Sequence, residues 1–422
     1  MVMKKIILLL FLSSFSCKKE TPITPTPVAT RQVNTAHLNS LFQTVKLAAN
    51  GVEVGTVAIY SEAPDYHLVT DADEGFTCVD DVARAAIFWL NEPDFATNTD
   101  KQAKHKLATE FVLQLQAPAT EAGAGYFYNF LWPDKTINKT YKTSVAEANF
   151  WSWRALWALS EAYPTYLKSD PAFAARIRTA MDRVVANMLR DFGSKPKDYT
   201  FIKGITVPKW LPFGSGTDQA AIMLLGLANY QQIAPNVANL TLIDQLAAGI
   251  LAMQQGDATK FPYSAFLSFE NGWHAYAADQ AYALQRVGKQ LNKPDWVAAA
   301  RKEIDTFYPY LLKEGFLESF SVEARDGGVG LLQSNKFPQI AYGIRPVIWA
   351  TMEAYDQTRD AKYLDLAKQL YGWFQGKNAA STVMYDPATG RGYDGLLNNT
   401  RINQNAGAES TIESLWAAQK FN

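Results

Sequence analysis

A repeat constrains this chain more than any other feature. Six short segments each open an apolar stretch of helical length: Asp80-Asp81-Val82-Ala83, Val145-Ala146-Glu147-Ala148, Thr217-Asp218-Gln219-Ala220, Ala278-Asp279-Gln280-Ala281, Ile340-Ala341-Tyr342-Gly343 and Ala408-Glu409-Ser410-Thr411. Their starts lie roughly 60 to 70 residues apart. That spacing is too long for a helical-hairpin solenoid and suits a two-helix unit with a long loop. Before each segment runs a second, more amphipathic stretch, near 35–49, 101–115, 171–189, 240–253, 294–311 and 361–374, with apolar residues at three- and four-residue steps. The pattern predicts twelve helices in six pairs. The helices that are apolar almost all round are inner ones, covered on both sides, and those with one polar face are outer ones.

Loop lengths set the topology. Within a pair the connection runs about 20 to 30 residues, and between pairs it is short. Antiparallel helices then gather all six long loops at the N-termini of the inner helices. Loops longer than about 15 residues in a compact domain are usually functional. The simplest closed arrangement is all-α: an (α/α)6 toroid of six helical hairpins, one domain over residues 31–422, with a binding cleft on the loop face.

Five of the six inner helices are expected to open with a carboxylate: Asp80 and Asp81, Glu147, Asp218, Asp279 and Glu409, while the fifth offers Tyr342 and Arg345. Acids in a first helical turn also cap free amides and favour the macrodipole, for about 0.3 to 1 kcal/mol each, which is their plain explanation. As a set they have a further consequence, because a toroid aims all of them at one cavity. Carboxylates sharing a cavity raise one another's pKa, so one can stay protonated while another is ionised. The chain is rich in aromatics, with 11 Trp, 20 Tyr and 23 Phe, and the long loops carry many of them. Tyr128, Trp132, Trp210, Trp273 and His274 stand there, with Asn405 among the amides of the sixth loop. Rings that stack on C–H faces beside groups that take hydroxyls match the needs of sugar binding. Trp151, Trp153 and Trp157 are expected to pack in the core.

Residues 1–17 read as an address. Lys4 and Lys5 precede an apolar run from Ile6 to Leu12 and then Ser13-Ser14-Phe15-Ser16-Cys17. The run is too short to span a bilayer and resembles a bacterial lipoprotein signal peptide, with Cys17 as the lipidated residue. Residues 18–30, with Pro22, Pro25 and Pro27, read as a Pro/Thr-rich tether. The expectation is an exported lipoprotein of the outer membrane, periplasmic or surface-facing, anchored through Cys17 and monomeric, with Cys78 left as a free thiol. The 40 basic and 41 acidic residues nearly cancel, which argues against a nucleic-acid partner. Two Cys and four His argue against a disulfide framework and a multi-histidine metal site. With no glycine-rich phosphate loop either, no cofactor and no metal are expected.

Twelve helices in six hairpins with acids at the inner N-termini resemble the six-hairpin glycosidase superfamily and related polysaccharide lyases. Cys78-Val79-Asp80-Asp81-Val82-Ala83-Arg84-Ala85, Asn129-Phe130 with Arg154-Ala155-Leu156-Trp157-Ala158-Leu159, and Asn405-Ala406-Gly407-Ala408-Glu409-Ser410-Thr411-Ile412-Glu413 are similar to a more particular group. That group is a helical toroid domain found alone or with some bacterial glycosyltransferases. The resemblance implies a carbohydrate substrate.

The leading expectation is a glycoside hydrolase that cleaves an oligo- or polysaccharide with a carboxyl acid and a carboxylate base or nucleophile. The candidates are Asp80, Asp81 and Glu409, brought together if the first and sixth hairpins meet on ring closure. Adjacent helical Asp residues diverge, so only one of Asp80 and Asp81 is expected to face the cavity. Arg84 pairs with Asp80 and frees the other, or is a structural salt bridge. Arg84, Tyr128, Trp132, Glu147, Trp210, Asp218, Trp273, His274, Asp279, Tyr342, Arg345 and Asn405 are the candidate substrate-binding residues. A lyase is the first alternative, with His274, Tyr276, Tyr263 and Arg345, or His67, as its basic groups. A non-catalytic surface glycan-binding lipoprotein is the second.

Overall fold

The computed structural model describes residues 32–421. The expected signal peptide, Cys17 and the tether lie outside the described residues. Twelve helices form within them. The inner six are α2 (Val79–Leu90), α4 (Phe150–Ser169), α6 (Thr217–Ile233), α8 (Gln280–Gln290), α10 (Ala341–Thr358) and α12 (Ala408–Gln419). The outer six are α1 (Ala36–Leu41), α3 (Thr99–Gln114), α5 (Pro171–Phe192), α7 (Val237–Ala252), α9 (Pro294–Glu314) and α11 (Ala361–Tyr371). Each inner helix packs on the next, from α2 through α12, and α12 returns to α2. The outer helices lie against their inner neighbours, with α1 covering α12 from the opposite end of the chain. The architecture is the predicted (α/α)6 toroid.

Burial follows the periodicity. In α5, Phe173, Ile177, Ala180, Met181, Val184 and Met188 are buried along one stripe, as an outer helix requires. In α6, nearly every residue from Thr217 to Ala228 is buried. Gly226 lets α6 approach α4, since a Cβ there would meet Leu156 and the Trp157 amide at about 3 Å. Eight residues or so into three inner helices, Trp157, Trp349 and Trp416 meet on the axis, with ring centroids 4.7 to 6.5 Å apart. At 1.5 Å per residue, this aromatic layer plugs the ring about 12 Å below the inner N-termini.

Three local expectations are corrected. The first outer helix stops at Leu41. Phe42–Lys46 is a strand paired antiparallel with Glu53–Val57, through a turn that uses Gly51 at φ +69°. Spacing in 35–49 fits a helix, but the pairing partner and the glycine turn win. Fewer inner helices open with an acid than expected. α4 begins at Phe150 with no acid in its first turn, leaving Glu147 in the loop, and Asp279 is the cap residue of α8. The long loops reach from 24 residues (193–216) to 37 (42–78), and they hold small antiparallel sheets of two or three strands.

Candidate functional site

The loop face closes around the N-terminus of α2. Thr77–Cys78 pairs with Phe130–Leu131, which brings Asn129 to the helix start. Its carbonyl accepts from the Val79 amide at 2.8 Å and its Oδ1 from the Asp80 amide at 3.2 Å. Cys78 Sγ accepts from the Asp81 amide at 3.4 Å, so the free amides of the first turn are capped. From the other side, the amides of Ala406 and Ala408 donate to the carbonyls of Ser61 and Ile59 at 2.9 and 3.1 Å. Gly407 permits this approach, because a Cβ there would lie 1.9 Å from the Ile59 carbonyl oxygen. The first and sixth hairpins therefore meet, and Asp80, Asp81 and Glu409 line one cavity of about 530 Å³.

The cavity has layers. At the helix starts stand Asp80, Asp81 and Glu409, with Asp394 of the sixth loop. Tyr60, Phe130, Tyr276 and Tyr342 supply rings, and Ser61, Asn129, Asn403, Asn405 and Ser410 supply neutral hydrogen-bonding groups. One turn deeper lie three buried arginines. Arg84 donates from Nη1 and Nη2 to Glu409 Oε2 at 3.1 and 3.0 Å, and from Nη1 to Glu413 Oε1 at 3.3 Å. Its Nη1 stands 3.6 Å from Asp81 Oδ1. Arg154 places Nη1 2.7 Å from Asp80 Oδ1, an ion pair that misses hydrogen-bond geometry, and donates from Nη2 to Tyr342 Oη at 2.6 Å. Arg345 donates from Nε to Glu413 Oε2 at 2.5 Å and pairs with Asp279. The Tyr342 ring sits among all three guanidiniums, 4.7 to 5.3 Å from its centroid.

Environment separates the carboxyls. Burial pushes Asp81 up to about 7, aided by the charges of Glu409 and Asp80 and opposed by Arg84. Cys78 Sγ donates to its Oδ2 at 3.3 Å, and burial raises that thiol well above its ordinary value. Asp394 is pushed up to about 6, chiefly by burial and then by Glu409. Ser410 Oγ and Asn403 Nδ2 donate to it at 2.8 and 2.9 Å. Glu409 is salt-bridged to Arg84 and keeps about a third of its side chain exposed (35%). Burial also raises the phenols of Tyr276 and Tyr342.

The predicted residues divide by place. Asp80, Asp81, Arg84, Tyr342, Asn405 and Glu409 line the cavity. Both adjacent aspartates face it, not one. Asp80 pairs with Arg154 of α4, so of the two readings of Arg84 the pairing with Asp80 fails, and Arg84 instead bridges Glu409 and Glu413 near Asp81. Asp279 and Arg345 are buried beneath the cavity as an ion pair. The others lie outside its lining. Glu147 accepts from Asn149 at 3.0 Å and borders a separate surface hollow with Arg190 and Asp191. Asp218 accepts from the Gln219 amide and lies 3.5 Å from His274 Nε2. His274 places Nδ1 2.8 Å from the Tyr276 carbonyl. Trp210 is buried and donates to the Gln245 carbonyl at 2.9 Å. Trp273 is buried with its ring stacked on Phe320 at 5.3 Å. Tyr128 donates to Glu121 at 2.5 Å, and Trp132 is half-buried at the head of a turn to Thr136. Of the residues named for a lyase, Tyr276 lines the cavity and Arg345 lies below it. His67 is exposed and paired with Asp65 at 2.7 Å. Sequence reasoning missed Tyr60, whose hydroxyl donates to Glu74 at 2.5 Å across the cavity wall. It also left Asp394 and Arg154 out of the candidate site residues. Neither has a spacing signal: Arg154 acts through Asp80 on another hairpin, and Asp394 through Asn403 and Ser410 at separations set by its loop.

No family model matches the sequence, and no curated protein does. Solved structures do resemble the fold. A sugar epimerase from a ruminal bacterium is 11% identical with a TM-score of 0.62, over 91% of this chain and 95% of that one. D-mannose isomerase is 13% identical with a TM-score of 0.58, over 87% and 92%. A family 76 α-mannanase from Bacteroides thetaiotaomicron is 9% identical with a TM-score of 0.52, over 82% and 86%. At these identities the likeness establishes the toroid fold.

Proposed function

We propose that the protein is a carbohydrate-active enzyme, and specifically a glycoside hydrolase. One observation carries the reading: Asp81, buried and so pushed up to about 7, and the partly exposed Glu409 share Arg84 across one aromatic- and amide-lined cavity. In this reading Asp81 delivers its proton to the glycosidic oxygen as the C–O bond breaks. Glu409 takes a proton from the water that attacks the anomeric carbon. The products are a free reducing sugar and an alcohol. Asp81 ends as a carboxylate and Glu409 protonated, and solvent restores both. Tyr276 offers a ring, and Asn129, Asn403 and Asn405 take hydroxyls. The likeness to an epimerase, an isomerase and a mannanase supports a sugar in this cavity.

Reducing-end release from a panel of neutral and acidic glycans tests the reading, run on wild type, Asp81→Asn and Glu409→Gln. Release by wild type that either variant abolishes, with folding intact, is the expected result. A second reading follows from the fold likeness to the epimerase and the isomerase: the same acid pair moving a proton on a reducing sugar. It predicts a changed sugar with no new reducing end. Unsaturated uronate products would indicate a lyase, and binding without turnover would indicate a glycan-binding protein. We further propose that the chain is exported and acts as a monomer tethered to the outer membrane through lipidated Cys17. Palmitate labelling that Cys17→Ser abolishes is the expected result, and labelling that persists in that variant overturns it.

A further inference from the structure

From one member of the acid pair a row of five alternating charges runs inward: Glu409, Arg84, Glu413, Arg345 and Asp279. Glu413 lies one turn past Glu409 on the same face of α12, with its side chain fully buried (0%) and outside the cavity lining. Its two oxygens are divided, Oε1 to Arg84 and Oε2 to Arg345. Arg345 turns its remaining nitrogens on Asp279. A buried carboxylate costs several kcal/mol to desolvate, and apolar packing would fill the same volume at less expense. We propose that Glu413, backed by Arg345 and Asp279, is a positioning residue that holds the Arg84 guanidinium on Glu409 and back from Asp81. The inference rests on the hydrolase reading for its catalytic meaning.

Two details support it. Arg84 follows Asp81 by three residues, a spacing at which helical side chains meet. Yet its Nη1 stops 3.6 Å from Asp81 Oδ1, beyond hydrogen-bond length, while all its hydrogen bonds go to Glu409 and Glu413. Arg84 Nε is also buried without a partner, so the acids of α12 dictate where this guanidinium sits, at the expense of its own Nε bond. The groups facing Asp81 are Cys78, Asp80 and Arg84 from its own segment and Glu409 from α12, with Tyr342 of α10 against Arg84 and Arg154 of α4 behind Asp80. Neutralising Glu413 removes a nearby negative charge and leaves Arg84 less compensated and free to close on Asp81. Both changes favour the Asp81 carboxylate, so Asp81 loses its proton at lower pH.

The test uses the full chain with Glu413→Gln, which keeps the volume and removes the charge. Infrared spectroscopy reads the protonated Asp81 carbonyl band, assigned by its loss in Asp81→Asn, without any substrate. The expected result is a folded variant in which this band disappears about one pH unit lower than in wild type. On a cleaved glycan, the alkaline limb of kcat/KM moves by the same amount while KM holds. A band that titrates at the wild-type pH overturns the proposal. Should Glu413→Gln not fold, Asp279→Asn, which touches Arg345 and not Arg84, is read the same way. A smaller shift in the same direction is then expected, and no shift overturns the proposal. Because the band needs no substrate, a protein that cleaves no glycan would sink the hydrolase reading and still leave this inference tested.

Discussion

At the N-termini of α2 and α12 acids stand over a cavity, whereas at those of α6 and α8 acids of the same kind are sealed. Helix chemistry does not distinguish the two sides, since a first-turn or capping carboxylate suits either. The loops distinguish them. Beside α12 the chain uses Gly395 and Gly407, where any Cβ would strike a neighbouring carbonyl within 2.4 Å, so backbones touch and a space remains in front of them. Beside α6 and α8 the loops deliver large rings. Trp210 and Trp273 are buried there, the latter against Phe307 and Phe320. Trp210 packs toward the outer helix α7, where it donates to the Gln245 carbonyl, while Asp218 meets His274 and Asp279 is paired with Arg345. A carboxylate at an inner helix start thus lines the cavity only where the neighbouring loops leave space in front of it.

The largest effect tests this contrast directly. Asp81→Asn and Glu409→Gln should each lower kcat by about 10²- to 10⁴-fold on a glycan that wild type cleaves, as expected for loss of a proton donor or acceptor. Glu147→Gln and Asp218→Asn should leave kcat unchanged. Equal loss in Asp218→Asn would break the contrast. Next in size, Trp273→Ala should cost about 3–5 kcal/mol of stability by urea denaturation, because it empties a packed aromatic cluster. The same substitution should spare kcat in the folded fraction, since the ring lies outside the cavity lining.

Two buried acids sharpen the comparison. Asp81 and Glu303 are both raised chiefly by burial, Glu303 to about 8. Glu303 sits on α9 under the filled side, accepting from the Phe266 amide at 2.8 Å and from Tyr308 at 3.3 Å. Folded protein keeps the Glu303 proton to about pH 8, while the unfolded chain releases it near 4.5. Between those values the native state binds the extra proton, so this group's contribution to stability falls as pH rises, by at most about 1.4 kcal/mol per pH unit. Glu303→Gln should flatten that decline and gain thermal stability over wild type at pH 8 relative to pH 5, with turnover unchanged. A decline as steep as that of wild type would show that Glu303 is not its source.

The ring was legible because each helix carries its own periodicity. α5 and α6 announce their faces in Phe173 to Met188 and in Thr217 to Ala228 without reference to the rest of the chain. Asp80, Asp81 and Glu409 were legible as well, since helix order alone makes the first and sixth hairpins neighbours. What was hidden depends on loop backbone. The contact of Ile59 with Gly407 joins segments remote in sequence, the reach of Tyr60 to Glu74 is set inside one loop, and the pairing of Asp80 with Arg154 follows from how α2 meets α4, with no spacing to mark any of them. The aromatic loop residues misled for a related reason. A tryptophan suited to stacking on a sugar is equally suited to packing a loop onto the outer helices, and Trp210 and Trp273 do the latter.

The smallest effect probes the sealed side. His274 lies 3.5 Å from Asp218 with about a third of its side chain exposed (30%). Burial works against its charge, but Asp218 and the Tyr276 carbonyl prevail and lift its pKa above the ordinary 6.5. The stability gained from this pair is therefore fully present below pH 6.5 and is lost as pH rises through the folded value. Its partial exposure limits it to about 1 kcal/mol or less. His274→Gln should unfold more easily than wild type at pH 5.5 and match it at pH 8.5, by urea denaturation at both. Should His274 instead serve as a base in a lyase or an epimerase, the substitution would remove turnover at every pH. A stability difference confined to low pH with turnover kept assigns His274 to the packing of the closed side.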